Sequence, residues 1–328
     1  DGDGVADEHK VLLSGFGNGD SHQTSNGLVW SPGGELFFSQ GDGIESRVET
    51  PWGIVRLNEH GVWRLRPRRR QLHAFRGGSG QNPWGIAFGQ WGEPFIKGNN
   101  AELSELLPVM IATDRLHRPL DIGRTPIKSM ICEIVDSPAL PADLQGDVLI
   151  AGYFGHRIDR LDLSRDGAGH KGDLQPPLLT STHRSFRPVD IRTGPDGALY
   201  IADWYNPIIG HYQASLRHPD RDKKHGRIWR VTAKGHDTVP VVNLEELPTH
   251  KLLKRLEAAP LRERERIRIT LSSRDPDDVL RQVDPWLRSL DPRNPGTGRA
   301  RFEALCLHEW NETINRELLR SFLKHGAP

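Results

Sequence analysis

From Phe186 the chain reads F-R-P-V-D-I-R-T-G-P-D-G-A-L-Y-I-A-D-W-Y-N-P-I-I-G-H-Y-Q, and the next loop closes with R-D-K-K-H-G-R-I-W-R-V at Val231. Apolar and polar residues alternate from Val189 to Arg192 and again from Ala198 to Ala202. Between them Gly194-Pro195-Asp196-Gly197 supplies turn chemistry, so the stretch predicts a β-hairpin. Its second strand runs into Asp203, Trp204, Tyr205, Asn206 and His211, with Arg187 and Asp190 on the incoming side and Arg221, Asp222, His225 and Arg227 in the next loop. Polar groups at this density around one hairpin need a ligand, an ion or water to satisfy them. The plainer reading is a structural turn, with Asp203 capping backbone amides and Trp204 packing on a sheet.

The same template occurs elsewhere. N-G-L-V-W-S-P-G-G-E-L-F-F-S-Q-G predicts strands at Leu28–Trp30 and Glu35–Ser39. N-P-W-G-I-A-F-G-Q-W-G-E-P-F-I-K-G-N, from Asn82 to Asn99, is a third copy, and Asp143 to Arg157 a weaker fourth. Outer strands are expected at Gly53–Leu57, Val62–Arg66, Arg157–Leu163 and Arg227–Val231, with a further strand at Lys10–Leu13. Repeated hairpins that cannot bury both faces alone argue for a β-propeller. The fold expected is mainly β with α: a propeller of the six-bladed type, incomplete here, over residues 1–240, then an α-helical HEAT-like segment over 241–328. Inner strands of a propeller end near its axis. Their trailing residues should therefore converge: His22 and Gln23, Asn99 and Asn100, His156, and the group from Asp203 to His211. Residues 101–128 read as an insertion with a short helix from Ala101 to Ile111.

From Leu244 apolar residues recur at helical spacing, as at Leu252, Leu253 and Leu256. Helices are expected at Glu245–Ala258, Leu261–Ser272, Asp277–Leu290, Ala300–Trp310 and Glu312–Lys324. The runs Arg64–Arg70 and Arg262–Arg268 read as solvated, a strand end and a helix face.

With 44 Lys+Arg against 43 Asp+Glu, no strong field argues for nucleic acid or lipid. No apolar run of membrane-spanning length occurs. Gly 34 and Pro 24 suit many tight turns. Cys132 and Cys306 sit far apart in sequence, and no C-x-x-C-H is present for covalent haem. Asp1-Gly-Asp3-Gly-Val-Ala-Asp7 resembles the first half of a calcium loop, although a mobile acidic end explains it as well. The abrupt acidic start suggests a piece of a longer chain.

These motifs together resemble the planctomycete and verrucomicrobial membrane-bound dehydrogenase family, related to pyrroloquinoline-quinone (PQQ)-dependent sugar and sorbosone dehydrogenase propellers. The matching stretches are D-G-D-G-V-A-D, H-Q-T-S-N-G-L-V-W-S-P-G-G-E-L-F-F-S-Q-G, E-T-P-W-G, L-P-A-D-L-Q-G-D-V-L-I-A, the Arg187–His211 run and H-G-R-I-W-R-V. The resemblance implies a periplasmic or secreted protein that oxidises a sugar or alcohol with PQQ and calcium and passes electrons to a c-type cytochrome. His22 or His156 would then be the base, and Arg187 would stabilise charge on the quinone. Gln23, Arg187, Asp190, Tyr205, Asn206 and His211 would hold the cofactor. Asp203, with Asp1, Asp3 and Asp7, would hold calcium. Two rivals stand beside this: a non-catalytic carbohydrate- or protein-binding propeller, and a metal-dependent sugar lyase or hydrolase using His156, Asp203 and His211.

Overall fold

A computed structural model describes residues 5–76, 82–98, 101–106, 120–210, 214–291, 293–294 and 296–325. Asp1, Asp3, Asn99, Asn100 and His211 lie outside them. Four antiparallel sheets follow one another in chain order. The first is β1 (Asn26–Trp30), β2 (Leu36–Gln40), β5 (Gly61–Arg66) and β6 (Gln71–Arg76), with a separate hairpin of β3 (Glu45–Thr50) and β4 (Gly53–Asn58) inserted after β2. The second is β7 (Gly85–Phe88), β8 (Pro94–Lys97), β9 (Glu102–Glu105) and β10 (Leu120–Arg124). The third is β11 (Met130–Ile134), β12 (Val148–Gly152), β13 (Arg157–Asp166) and β14 (Gly169–Thr180). The fourth has three strands: β15 (Pro188–Thr193), β16 (Leu199–Asp203) and β17 (Arg227–Val231).

These sheets are propeller blades, and the described residues contain four of them, not the six of a complete ring of the expected type. The hairpins form because their turns repeat one solution. Gly34, Gly92 and Gly197 donate to the carbonyls of Ser31, Gly89 and Gly194 at 3.1, 3.1 and 3.0 Å. Each of these glycines takes a positive φ, of 82°, 85° and 78°.

Successive blades bury their faces against each other. Val29, Phe37, Ile86 and Ile96 fill the space between the first and second. Phe95, Cys132, Ile150 and Leu161 fill the second junction, and Leu149, Ile158, Ile191 and Ile201 the third. The first strands approach closely. A Cβ on Gly85 of β7 would stand 2.5 Å from the Ile131 Cα of β11.

Two expectations fail. Glu102–Glu105 is a strand and Leu120–Arg124 another, so the described part of 101–128 carries the outer half of the second blade and no helix begins at Ala101; 107–119 lie outside the described residues. Lys10–Leu13 is not a strand. The chain instead runs on to lay Gly15 against β3, where the Gly15 carbonyl accepts from the Arg47 amide at 2.8 Å.

Five helices stand where five were expected, α1 (Thr249–Leu256), α2 (Leu261–Ser272), α3 (Pro276–Ser289), α4 (Thr297–Trp310) and α5 (Arg316–His325), with α1 and α5 starting four residues later and α4 three residues earlier than the sequence pattern placed them. Leu252, Leu256, Ile267, Leu271, Val283, Ala304 and Leu307 form their common core. Asp275 caps α3 by accepting from the Asp278 amide at 2.9 Å. None of the described helices is long and apolar enough to cross a membrane.

The arginine run of α2 is not a solvated face. Arg264 and Arg268 are each 4% exposed and pair with the buried Glu303 of α4, Arg268 at 2.7 Å. Arg262 reaches into the third blade and grips the carboxylate of Glu133. Nor are Arg66–Arg69 simply solvated: Arg66 joins Glu35 at 2.7 Å and Glu309 at 3.2 Å, and Arg69 joins Glu312 at 3.0 Å. Trp310 donates to the Pro32 carbonyl at 2.7 Å, and Trp91 meets Phe302 edge-on at 5.7 Å. The helices thus sit on the side of the blades that carries the first-to-second strand turns.

Candidate functional site

Because first and second strands are antiparallel, the residues before each first strand and after each second strand share the side opposite the helices. His22 and Gln23 precede β1, Trp84 precedes β7 and Lys128 precedes β11. Arg187 precedes β15. Tyr153 and His156 follow β12, and Tyr205 and Asn206 follow β16. Of the residues expected to converge, His22, Gln23, His156, Tyr205 and Asn206 share this side, while Asn99, Asn100 and His211 lie outside the described residues.

Contacts connect these residues. The His22 and Trp84 rings meet edge-on at 6.1 Å, and Trp84 meets Tyr153 at 5.9 Å. Lys128 Nζ lies 4.9 Å over the Trp84 ring. Burial lowers the Lys128 ammonium below its ordinary value. Tyr153 is buried, which pushes its phenol up. Its carbonyl accepts from Arg187 Nη1 at 2.9 Å.

Arg187 is a clasp. It is 7% exposed, and besides Tyr153 it donates through Nε to the Asn206 carbonyl at 2.9 Å and through Nη2 to the Pro207 carbonyl at 3.2 Å. Nη1 stands 3.4 Å from both ring nitrogens of His156. Burial lowers its guanidinium below the ordinary value. Arg187 thus ties the loops of the third and fourth blades together, and its nitrogens are committed to main-chain carbonyls.

His156, at a positive φ of 54°, donates from Nδ1 to the Phe186 carbonyl at 2.8 Å. That bond fixes the tautomer, with the lone pair on Nε2. His22 is held in the same way, with Nδ1 at 2.5 Å from the Asp20 carboxylate. Gln23 is buried, with its amide oxygen unpartnered among the described residues.

Asp203 has a wholly buried carboxylate. One oxygen accepts from the Arg187 amide at 2.8 Å and the Tyr205 amide at 2.9 Å. The other accepts from Arg227 Nε at 2.9 Å and Trp229 Nε1 at 3.0 Å. Burial pushes this carboxyl up, but the four bonds outweigh it and hold it below the ordinary value of 3.8. Its lone pairs are used, so calcium at Asp203 does not fit. Asp7 is exposed, and the described residues hold no group of three or more His, Cys, Asp or Glu placed to bind a metal. Asp190 accepts from the Ile191 amide at 2.8 Å and pairs with Arg192 at 3.3 Å. Burial raises its carboxyl. Asn206 bridges to the Asp222 carbonyl at 3.1 Å.

Tyr205, at a φ of 52°, stacks on His183 at 5.7 Å and carries the Arg227 guanidinium 4.0 Å over its ring. Beside it opens a hollow of about 500 Å³, bounded by Ser185, Tyr205, Pro207 and the loop from Arg217 to Lys224. Beneath the face, Lys97 at the end of β8 is 0% exposed and donates to the Glu102 carbonyl at 2.9 Å. Burial lowers its amine from 10.5 to about 8.

Sequence reasoning missed Asp20, Trp84, Lys128, Tyr153 and His183. The D-S-H spacing of Asp20 and His22 was a usable signal, because residues two apart in a turn can bond side chain to side chain. Trp84 and Lys128 could be placed only once the second and third blades had been set side by side. For a planar, carboxylated quinone, the face offers aromatic rings with cations over them, Trp84 with Lys128 and Tyr205 with Arg227, of which Arg227 is already bonded to Asp203. That donor set suits the ligand, whereas Arg187 is spent elsewhere.

No curated protein matches the chain. Among solved structures it is similar to a glucose dehydrogenase, at 16% identity and a TM-score of 0.41, covering 64% of each chain. It is also similar to the soluble aldose sugar dehydrogenase of Escherichia coli in the apo form, at 17% identity and a TM-score of 0.37, covering 54% of this chain and 59% of that one. A virginiamycin B lyase from Staphylococcus aureus is similar at 15% identity and a TM-score of 0.34, covering 67% of this chain and 73% of the lyase. The chain thus spans about three-fifths of the length of these two dehydrogenases. A family model matches residues 1–131 and again 106–235, and the chain belongs to that family, described as Domain of unknown function (DUF7133).

Proposed function

We propose that this chain is a sugar or alcohol oxidoreductase that works on the blade face opposite the helices. The observation that carries the reading is His156. Its ring is fixed by the Phe186 carbonyl and lies against the Arg187 clasp, which also holds the carbonyl of Tyr153, the partner of Trp84. In the proposed step the substrate O–H proton passes to Nε2 of His156. The carbinol carbon loses hydride, and C–O becomes C=O. PQQ, when bound against Trp84 and Lys128, supplies the hydride acceptor. The Asp20–His22 pair faces the same region from the first blade and would orient a second hydroxyl. The family resemblance adds a periplasmic or secreted setting and a c-type cytochrome as the onward electron acceptor.

The test is dye reduction by the purified chain with PQQ, with and without calcium, across aldoses and primary alcohols. His156→Gln should lower kcat about 10²- to 10⁴-fold, the range for loss of a general base. Absence of turnover, together with no quenching of tryptophan fluorescence by PQQ, sinks the proposal.

A second reading has its own observation. Phe154 and Trp204 are 39% and 41% exposed beside this face, which suits stacking of a sugar ring without chemistry. Glycan binding without turnover, unchanged in His156→Ala, would select it.

A further inference from the structure

Resting on the oxidoreductase reading, we propose that the hollow beside Tyr205 binds an anionic group on the substrate, so that the substrate class is an acidic sugar. The hollow has a volume of about 500 Å³, within the range of roughly 300–1,000 Å³ usual for small-ligand sites. Arg217, Arg221, Lys223 and Lys224 line it, against Asp220 and Asp222.

Of the two carboxylates, Asp222 is engaged within its own loop rather than facing the four cations: one oxygen accepts the amides of Lys224 and His225 at 2.9 Å each, and the other takes His225 Nδ1 at 2.8 Å. The Lys224 amide first, and His225 next, pull its carboxyl down to about 2, so it stays ionised with its charge met by these donors. Arg221 is pinned in place, donating to the carbonyls of Ser215 at 2.9 Å and Ala214 at 3.0 Å. A pinned cation loses little rotamer freedom when an anion arrives.

Position ties the hollow to the chemistry. Its wall residue Pro207 holds Arg187 through its carbonyl, and Arg187 Nη1 is 3.4 Å from the His156 ring. Another wall residue, Ser185, directly precedes Phe186, whose carbonyl fixes that ring. An anionic substituent held here leaves the sugar ring to reach towards His156. A carboxylate, a sulfate ester and a phosphate ester share this chemistry, and the probes below separate them.

Binding of D-glucose, D-glucuronate, D-glucose 6-sulfate and D-glucose 6-phosphate would be followed by calorimetry at low and high salt, and turnover by dye reduction. At least one acidic sugar should bind tenfold or more tighter than glucose, weaken as salt rises, and lose its preference over glucose in Arg217→Glu/Lys223→Glu. Both positions are exposed on a loop, so the fold should survive, and a circular dichroism spectrum checks this. Equal affinity for glucose and all acidic sugars overturns the inference. So does inorganic sulfate binding as tightly as the sugar sulfate, or displacement of the acidic sugar by saturating PQQ. Oxidation of sugars without acidic preference would remove the hollow's role and leave the oxidoreductase reading standing. Salt-dependent binding of an acidic sugar, lost in the double variant and without turnover, would do the reverse.

Discussion

Asp203 illustrates how a residue can be prominent in sequence for a structural reason. Its four donors come from Arg187, Tyr205, Arg227 and Trp229, so one carboxylate joins the loop before β15, the loop after β16 and strand β17. Asp203→Ala would leave those donors unsatisfied and should cost about 3 kcal/mol, read from urea denaturation. A loss under about 0.5 kcal/mol, the scale of an ordinary surface substitution, contradicts this role. The sequence placed Asp203 correctly at the end of a strand but could not say which partners it meets, since Arg227 and Trp229 are set only by the pairing of β16 with β17. Lys97 was silent in sequence, because nothing local marks a lysine at a strand end as fully buried. Its folded amine titrates near 8 against an ordinary 10.5, so burial disfavours the charged form. Below about pH 8 both folded and unfolded states are protonated, and the native state carries the cost. Between about pH 8 and 10.5 the unfolded chain holds the extra proton, so stability rises with pH, by up to about 3 kcal/mol. Tyr153, whose phenol burial raises, works in the opposite direction at high pH. The clean observable is therefore the difference between wild type and Lys97→Met, in which Tyr153 cancels. That difference should grow in favour of wild type across this window, and a flat difference refutes the assignment.

At the scale of strands and helices, legibility followed periodicity. The hairpins around Ser31–Gly34, Gly89–Gly92 and Gly194–Gly197 were readable because alternation and turn residues agreed, and the turns formed with glycine in the left-handed region. Helix α2 formed over the predicted span and α4 began three residues ahead of it, because apolar spacing persisted over three turns or more. Strand β9 was not readable. E-L-S-E is short and polar, and it is a strand only because β8 and β10 bond to it on either side. Long-range pairing of this kind leaves little trace in local composition. What places one first strand beside the next is absence of side chain. Gly85 of β7 lies so close to β11 that a methyl group would meet the Ile131 Cα at 2.5 Å and the Cys132 amide nitrogen at 3.1 Å. These are main-chain atoms and cannot rotate away. Gly85→Ala should therefore cost about 1–3 kcal/mol in thermal or chemical unfolding, as overpacking does, despite alanine's better conformational economy. It should also disturb Trp84 fluorescence, since Trp84 is the neighbouring residue on the site face. An unchanged or raised stability contradicts the close approach.

For the whole molecule, the helices and blades are held together by charge as much as by apolar contact. Helix α2 looked solvated because L-R-E-R-E-R-I-R alternates charge, and the sequence does not show that some of those arginines point into other elements. Arg262 enters the third blade and meets Glu133, which also accepts the Thr193 amide at 2.9 Å and lies 3.6 Å from Arg192. Burial pushes the Glu133 carboxyl up, and Arg262 then Arg192 more than offset it, so it stays ionised. A buried pair of this kind contributes little beyond an apolar replacement of both partners, yet removing one partner leaves a charge stranded. Arg262→Met should thus destabilise by about 3–5 kcal/mol. Arg262→Met with Glu133→Leu should recover much of that loss, because the fully buried carboxylate goes with its partner, while Arg192 keeps Asp190 at 3.3 Å and Glu265, which also loses Arg262, is partly exposed. The two substitutions must be non-additive by more than about 1 kcal/mol if the pair is coupled as described. Limited proteolysis supplies a second readout: in Arg262→Met, cleavage between Val231 and Thr249, where the strands end and α1 begins, should appear under conditions that leave wild type intact. If the double variant is no better than the single one, Arg262 acts through packing and the electrostatic seam is wrong.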